Sequence, residues 1–139
     1  IKVSHYHDGQ LELQVEAERA VIDNDSQTLQ MEVASGVSHL SPSGFIRFNA
    51  AHVFFDLSTN DMILQDMYLV HSDLTEFLWM TSKELFWSPL DGHLRSHVPT
   101  SLYHDAFHVV ANDVVFDTRL GVVHLKDEPK VYMGVHDDG

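Results

Sequence analysis

The sequence predicts an all-β domain in which about four two-strand repeats form one curved sheet. Three observations support this fold class: apolar and polar residues alternate, turn signals recur at short intervals, and the alternation breaks repeatedly in the same way. The chain has 139 residues, of which 44% are hydrophobic. It is long enough for one packed domain, residues 1–139, and too short for two ordinary domains.

Strands are predicted where β-forming residues alternate with polar ones. These segments are LELQV (11–15), LQMEV (29–33), FIRF (45–48), FLWM (77–80), FHVV (107–110) and VVHL (122–125). Clusters of Asp, Asn, Ser, Pro and Gly lie between them and predict turns. The turns are at 23–26, 41–44, 58–61, 88–92 and 117–121. Such intervals are typical of a β-sandwich or barrel.

One pattern recurs in the segments 13–23, 46–56, 78–88 and 107–117. Each has apolar residues four and two positions before a small residue, and an apolar or aromatic residue five positions after it. The small residues are Ala17, Ala50, Ser82 and Ala111, and the later residues are Ile22, Phe55, Trp87 and Phe116. The small residues lie 33, 32 and 29 positions apart, which is the length of two strands and two turns.

The strand after each turn brings a second pair of residues at a fixed offset. The pairs are Leu29 and Met31, Met62 and Leu64, Leu94 and Ser96, and Val123 and Leu125. Within the first strand of each repeat, the apolar residues change phase. In the first repeat they occupy odd positions up to Ala17 and even positions from Ala20 to Ile22. Because side chains alternate with period two, we predict a β-bulge that skips one residue, keeps both halves on one core and bends the strand.

The composition excludes several classes of function. Eight basic and 21 acidic residues give a net charge of -13, which repels nucleic-acid phosphates and anionic membranes. There is no cysteine, so neither disulfides nor thiolate metal sites are expected. No apolar run approaches the roughly 18 residues that indicate a membrane span. The sequence opens at Ile1 without a signal-like segment, as expected of a processed fragment.

Eleven histidines invite a metal-binding interpretation, which their spacing does not favour. The candidates are His5, His7, His93, His97, His104 and His108. The last two are four positions apart, which aligns ligands on a helix, but they lie where a loop enters a strand. We therefore predict no metal site and no cofactor.

Catalytic motifs are also weak. The carboxylate pairs Asp23 with Asp25 and Asp105 with Asp113 are explained by the local backbone bonding of turns. No nucleophile elbow of the form GxSxG occurs, so no catalytic residue is predicted. Of the two tryptophans, Trp87 is expected in the core and Trp79 at the surface or an interface.

Two stretches resemble the lipopolysaccharide-export bridge proteins of the LptC type and their relatives of the LptA and OstA type. The longer one is ELFWSPLDGHLRSHVPTSLYHDAFHVVANDVVFDTRLGVVHL (84–125), and the shorter one is LQVEAERAVID (13–23). The resemblance extends over about residues 11–125. The chain departs from the LptC type because it contains no preceding membrane helix and is rich in acidic residues and histidine.

The resemblance implies a curved, open β-jelly roll in the periplasm, tethered to the inner membrane by an upstream helix absent from this chain. It implies a non-enzymatic role, in which an apolar groove takes lipopolysaccharide acyl chains from an inner-membrane ABC transporter to the next bridge protein. The expected groove residues are Leu13, Val15, Ile46, Phe48, Phe55, Leu78, Met80, Trp87, Phe107, Val109 and Phe116. Burial of acyl chains there is worth roughly 0.8 kcal/mol per methylene.

Open sheets have edges that recruit further strands. We expect IKVSHY (1–6) and KVYM (130–133) at the ends of the sheet, where an LptA-like bridge protein or a transporter subunit extends it. Two alternatives stay open: a structural or adhesive β-repeat module with a filled core, and an enzyme on a β-sandwich that uses a His-bound metal.

Overall fold

The computed structural model describes residues 1–40, 44–72, 77–88, 91–104, 107–118, 122–126 and 129–133. Within these ranges the chain forms twelve β-strands, all joined in one antiparallel sheet, and no helix. The strands are β1 (Lys2–His7), β2 (Gln10–Asp23), β3 (Thr28–Leu40), β4 (Gly44–Asp56), β5 (Met62–Ser72), β6 (Phe77–Ser88), β7 (His93–Ser96), β8 (Thr100–His104), β9 (Phe107–Ala111), β10 (Asp113–Asp117), β11 (Val122–Lys126) and β12 (Lys130–Met133). The predicted all-β fold is confirmed.

The predicted two-strand repeats are confirmed by the register of the sheet. In every repeat, the late apolar residue of the first strand pairs with the first apolar residue of the next strand. The pairs are Ile22 with Leu29, Phe55 with Met62, Trp87 with Leu94, and Phe116 with Val123. Three of the predicted turns, 41–44, 88–92 and 117–121, fall partly outside the described residues.

The sheet is a meander of nine passes. The first six are the continuous strands β1 to β6, and each of the last three is divided into two strands: β8 follows β7, β10 follows β9, and β12 follows β11. The division starts beside β6, whose residues 86–88 pair with β7 while residues 79–82 pair with β8. The sheet therefore forks at β6.

The continuous strands are interrupted at one common level, which we call the crease. Backbone pairing stops there and resumes two residues further on. The crease residues are Glu18, Val33, Ala51, Asp66 and Lys83. Val33 and Asp66 have φ angles of 51° and 50°. A left-handed conformation is rare outside glycine, and it is rarest for a β-branched residue such as valine.

The predicted change of phase is confirmed at the crease, but the predicted bulge is wrong for β2 to β6. In β4, Phe48 and Ala50 are buried on one side of the crease and Val53 on the other, as the change of phase requires. A bulge sets two residues against one and shifts the register. Here, Ala34 pairs with Ala50 and Glu32 with His52, in the same register. Every strand contributes an extra residue at the same level, so the sheet bends as a unit.

The crease divides the sheet into two half-sheets that face each other. Half-sheet A contains β1, β8, β9, β12 and residues 13–17, 34–40, 44–50, 67–72 and 77–82 of β2 to β6; half-sheet B contains β7, β10, β11 and residues 19–23, 28–32, 52–56, 62–65 and 84–88. Two ring pairs connect them. Phe48 of A meets Trp87 of B at 5.8 Å, and His71 of A meets Phe116 of B at 5.0 Å, both edge to face. We call the space between the half-sheets the interior.

Candidate functional site

The middle of the interior is apolar and filled by side chains. Residues facing it from both half-sheets are almost completely buried, including Ile46, Met80, Met62, Leu64 and Leu94. Full burial of such a side chain is worth about 1.5–3 kcal/mol. The interior is therefore also the core that stabilises the fold.

Small side chains line the interior along the crease, because the two half-sheets converge there. Ala17, Ala34, Ala50 and Ala111 are all buried at this level. The predicted role of small residues at the bend is confirmed. Farther from the crease the interior is lined by larger side chains, including the buried aromatic residues.

Beside the fork, the crease is closed by the buried hydroxyl groups of Ser82, Ser96 and Thr100. Ser96 Oγ lies 2.5 Å from Thr100 Oγ1, and Thr100 Oγ1 lies 3.0 Å from Ser82 Oγ. Ser82 Oγ donates to the carbonyl of Glu84 at 2.9 Å, and Thr100 Oγ1 donates to that of Val98 at 2.9 Å. We call these three residues the hydroxyl cluster. It satisfies backbone groups that the split ladder leaves unpaired.

The side of the interior opposite the crease is more polar. Ser38, His71 and Thr118 face the interior there and are buried. Thr118 Oγ1 donates to the carbonyl of Gly92 at 2.8 Å, which connects the ends of β7 and β10. The interior is thus lined by small residues at the crease, by apolar residues in its middle and by more polar residues on the side opposite the crease.

Along the sheet, the apolar interior continues to exposed side chains at both ends. At the first end, Ile22 is 62% exposed, whereas Phe55 is 5% exposed two strands away at the same level. β1 pairs with β2 only up to Glu16, so residues 19–23 form the edge of half-sheet B. At the other end, Val123 of the edge strand β11 is partly buried, and Phe107 of β9, the neighbour of the edge strand β12, is 46% exposed. Both ends present apolar surface.

Phe48 is held between a glycine and a tryptophan. Its ring lies against Gly36 of the neighbouring strand, where a Cβ atom would overlap ring atoms Cε1 and Cζ. Its edge-to-face partner on the other half-sheet is Trp87. This edge-to-face contact and that of His71 with Phe116 join the two half-sheets across the interior.

The eleven predicted groove residues all lie on strands of the interior, but they differ in burial. Eight are buried: Leu13, Val15, Ile46, Phe48, Phe55, Met80, Trp87 and Phe116. Leu78 and Val109 are half-buried and pack against this core, and Phe107 is exposed.

Sequence reasoning found the start of β5, at Met62 and Leu64, but missed its continuation beyond the crease and the contribution of that part to the interior. Met62 and Leu64 face the interior before the crease, and Met67, Leu69 and His71 face it after the crease. MILQDMYLVHS contains the same change of phase as the first strands of the repeats, with Asp66 at the break. That pattern was a usable signal.

The histidines do not form a metal site in the part of the chain that the structure describes, where no group of three or more potential ligands lies together. His93 Nε2 is 3.6 Å from Asp117 Oδ2, and His97 Nδ1 is 3.7 Å from Asp113 Oδ1. His108 stacks on Tyr103 with the ring centroids 4.3 Å apart. His104 lies at the end of β8 and not in the predicted loop, and His108 lies on β9; neither is on a helix, so their four-residue spacing does not align them.

The predicted turn role of Asp23 is confirmed. Its Oδ1 accepts hydrogen bonds from the backbone N–H groups of Asp25 at 3.0 Å and Ser26 at 3.3 Å. Asp56 does the same in the corresponding turn, where Ser58 donates to it through both N–H and Oγ. Bonds from Ser26 and Asp25 lower the pKa of Asp23, and bonds from Ser58 lower that of Asp56. Asp105 lies outside the described residues, and Asp113 lies on β10 and not in a turn, so its predicted turn role is wrong.

Trp87 is buried and Trp79 is 47% exposed, as the sequence predicts. No helix in the described ranges is long and apolar enough to cross a membrane.

A single antiparallel sheet, creased into two facing half-sheets, gives this chain the fold of a β-jelly roll. Among solved structures it is similar to LptH from Pseudomonas aeruginosa, described as the LptA-homologous periplasmic component of the lipopolysaccharide transport device. The TM-score is 0.69 and the sequence identity is 10%, over 89% of this chain and 94% of LptH. No family model and no curated protein match the sequence. At this identity, the likeness establishes the fold.

Proposed function

We propose that this chain is a periplasmic, non-enzymatic lipid-transfer domain of lipopolysaccharide export, which holds acyl chains between its half-sheets. One observation carries the proposal: among the described residues the apolar interior runs along the sheet from the exposed Ile22 on one edge to the exposed Phe107, one strand from the other edge. A passage with two apolar ends suits cargo that enters at one end and leaves at the other. The jelly-roll fold shared with LptH supports the same role.

Acyl chains need space that the packed interior provides only after rearrangement. The contacts of Phe48 with Trp87 and of His71 with Phe116 would have to separate, so that cargo replaces protein side chains. The exchange is feasible because each acyl methylene regains roughly 0.8 kcal/mol on burial, so a chain of several methylenes offsets the lost ring contacts. Because the contacts with acyl chains and the ring contacts that they replace are similar in strength, the cargo can also be released. The net charge of -13 fits a carrier that does not clamp the lipid phosphates strongly.

A structural or adhesive module is the second candidate, and the filled interior favours it. Photocrosslinking separates the two. A photoreactive amino acid is placed at Phe48, Met80 or Val109, which belong to the interior, and at Phe86, which is on the outer face of half-sheet B. Lipopolysaccharide adducts at the three interior positions and none at Phe86 support the carrier. Absence of interior adducts in variants whose circular dichroism matches the wild type supports the module.

Partners would dock by adding strands at the two ends of the sheet, as the sequence predicts. IKVSHY and KVYM do lie on edge strands, β1 and β12. On half-sheet B, residues 19–23 of β2 have no neighbouring strand on one side among the described residues, and β11 pairs only with β10. These edges offer unpaired backbone groups to an LptA-like bridge protein or to the inner-membrane ABC transporter complex.

The resemblance to LptH favours an LptA-like over an LptC-like assignment, and tethering by an upstream helix remains part of the second assignment alone. Disulfide trapping tests the edges. Cysteine is placed at Ser4 or Val21 at one end of the sheet and at His124 or Lys130 at the other, and each is paired with cysteines along the edge strands of a purified LptA-like protein. Crosslinks in antiparallel register support strand addition, and their absence at both edges contradicts it.

A further inference from the structure

The outer face of half-sheet A carries a groove of about 470 Å³, lined mainly by side chains that alternate with those of the interior and also by Gly36 and Phe48. Four neighbouring strands, β2 to β5, form it. The side chains that line it include Gln14, Ser35, Arg47, Asn49, Tyr68 and Val70. Its volume is within the range of small-molecule sites, about 300–1,000 Å³.

Polar groups in this groove are available for a ligand. The side chains of Gln14, Ser35 and Asn49 make no hydrogen bond with any other residue that the structure describes, and neither does the hydroxyl group of Tyr68. Two carboxamides and two hydroxyls together provide both donors and acceptors. The backbone groups of β3 and β4 are already paired on both sides, so a peptide cannot bind here by strand addition.

The charges around the groove favour a neutral ligand. Arg47 and Glu16 both line it, one of each sign. The carboxylate of Glu16 is 3.4 Å from Lys2 Nζ, and the guanidinium of Arg47 lies 4.9 Å from the ring centroid of Phe45. A cation would meet Arg47, and an anion would meet Glu16 and a net charge of -13. A neutral molecule rich in hydroxyl groups avoids both penalties.

Exposed aromatic side chains extend the groove along one cross-strand row. Arg47 pairs with Val70, Val70 with Trp79, and Trp79 with Tyr103. Trp79 and Tyr103 are 47% and 37% exposed. Neighbouring strands are about 4.8 Å apart, so this row spans roughly 14 Å, the length of a short oligosaccharide. Aromatic rings with polar tips offer apolar faces to sugar C–H groups and hydrogen bonds to sugar hydroxyls.

We propose that the outer face of half-sheet A binds a neutral oligosaccharide, with the carboxamides of Gln14 and Asn49 on its hydroxyls and Tyr68 and Trp79 against its rings. The site does not depend on lipid binding in the interior. The sugar has two conceivable sources, the glycan part of a lipopolysaccharide and a free glycan.

Heteronuclear NMR of the intact chain tests the site directly, because side-chain amides and indoles give their own signals. The probes are maltotetraose, chitotetraose and a dephosphorylated core oligosaccharide cleaved from lipopolysaccharide, each at millimolar concentration. We expect shifts at the side-chain NH₂ groups of Gln14 and Asn49 and at the indole N–H of Trp79. The indole of Trp87, which is buried in the interior, serves as the internal control.

Variants determine whether the groove causes the shifts. Asn49→Ala and Tyr68→Ala are each expected to weaken binding by up to about tenfold, as loss of a hydrogen bond predicts. Gln65→Ala removes a carboxamide from half-sheet B at a similar distance from the crease and is expected to change nothing. Binding of the core oligosaccharide alone identifies lipopolysaccharide as the source, and binding of the free glycans identifies a general glycan site.

The proposal is overturned if none of the probes shifts these signals, or if both groove variants bind as the wild type does. Failure here is distinguishable from failure of the lipid carrier, because the photocrosslinks report on the interior and these signals on the outer face.

Discussion

The continuous strands and the divided strands make the same bend in different ways. In β2 to β6, each strand has one extra residue at the crease, and pairing resumes in the same register. Beyond β6, neighbouring strands have different numbers of residues at the crease. Between the pairs Phe86 with Arg95 and Ser82 with Thr100, β6 has three residues and its neighbour has four. The register therefore shifts by one, and the neighbour splits into β7 and β8.

The difference shows two solutions to one problem, the backbone groups left unpaired at a bend. Where neighbouring strands have the same number of residues at the crease, Val33 and Asp66 adopt a left-handed conformation and the hydrogen-bond ladder stays almost complete. Mismatched strands leave a gap, where the hydroxyl cluster donates to the carbonyls of Glu84 and Val98 and accepts from their N–H groups in place of the ladder. Pro99 stands in this gap, where the missing N–H of proline costs nothing. The continuous part is thus held mainly by packing, and the fork also by hydrogen bonds.

The largest expected effect tests packing in the continuous part. Phe48→Ala removes a buried ring that contacts Gly36 and Trp87, and it should lower the free energy of unfolding by about 3–5 kcal/mol. Val109→Ala, on a divided strand and only half-buried, should cost about 1–2 kcal/mol because fewer methylenes are removed. Urea unfolding followed by circular dichroism measures both. Equal losses would show that the two parts are packed alike.

A smaller loss is expected when the same packing is overfilled. Gly36→Ala places a methyl group where the Phe48 ring lies, and overpacking of this kind costs about 1–3 kcal/mol. The matched control is the double variant Gly36→Ala with Phe48→Leu, in which the smaller side chain makes room. Recovery of stability in the double variant relative to the sum of the single ones confirms the overlap. Strict additivity would contradict it.

The repeats show what the sequence can reveal of this fold. Pairs such as Phe55 with Met62 were predictable because period and turn length together determine which residues meet. The burial of eight of the eleven predicted groove residues on one face of the sheet was predictable for the same reason. The filling of the interior was not, because side-chain phase identifies a face but not the distance to the opposite half-sheet. The fork was also missed, since it depends on a register difference between strands that contain 83–85 and 96–99.

Hydrogen bonding at the fork gives the third prediction. Ser96→Ala removes a buried hydroxyl that lies 2.5 Å from Thr100 Oγ1 and donates to the carbonyl of Val98 at 3.1 Å. Buried groups left without a partner cost about 1–3 kcal/mol. Ser35→Ala is the control, since Ser35 is exposed on the outer face and should change stability by less than about 0.5 kcal/mol. Thermal or urea unfolding that does not distinguish the two variants would mean that the hydroxyl cluster does not hold the fork.

The smallest effect concerns the turns of the continuous part, where Asp23 and Asp56 accept hydrogen bonds in the turns of the first two repeats. Turn hydrogen bonds lower the pKa of both carboxyl groups in the folded state. A lowered folded pKa stabilises the protein above the unfolded value, about 4, and this contribution disappears as the pH falls through the folded pKa. The third repeat has Ser88 at the equivalent position and lacks such a carboxylate. The variant with Asp23→Asn and Asp56→Asn should therefore be slightly less stable than the wild type at pH 7, and the difference should shrink as the pH falls through the folded pKa values of the two carboxyl groups. Urea unfolding of both proteins at a series of pH values measures it, and a difference that stays constant with pH would assign the effect to the amide substitution instead of the charge.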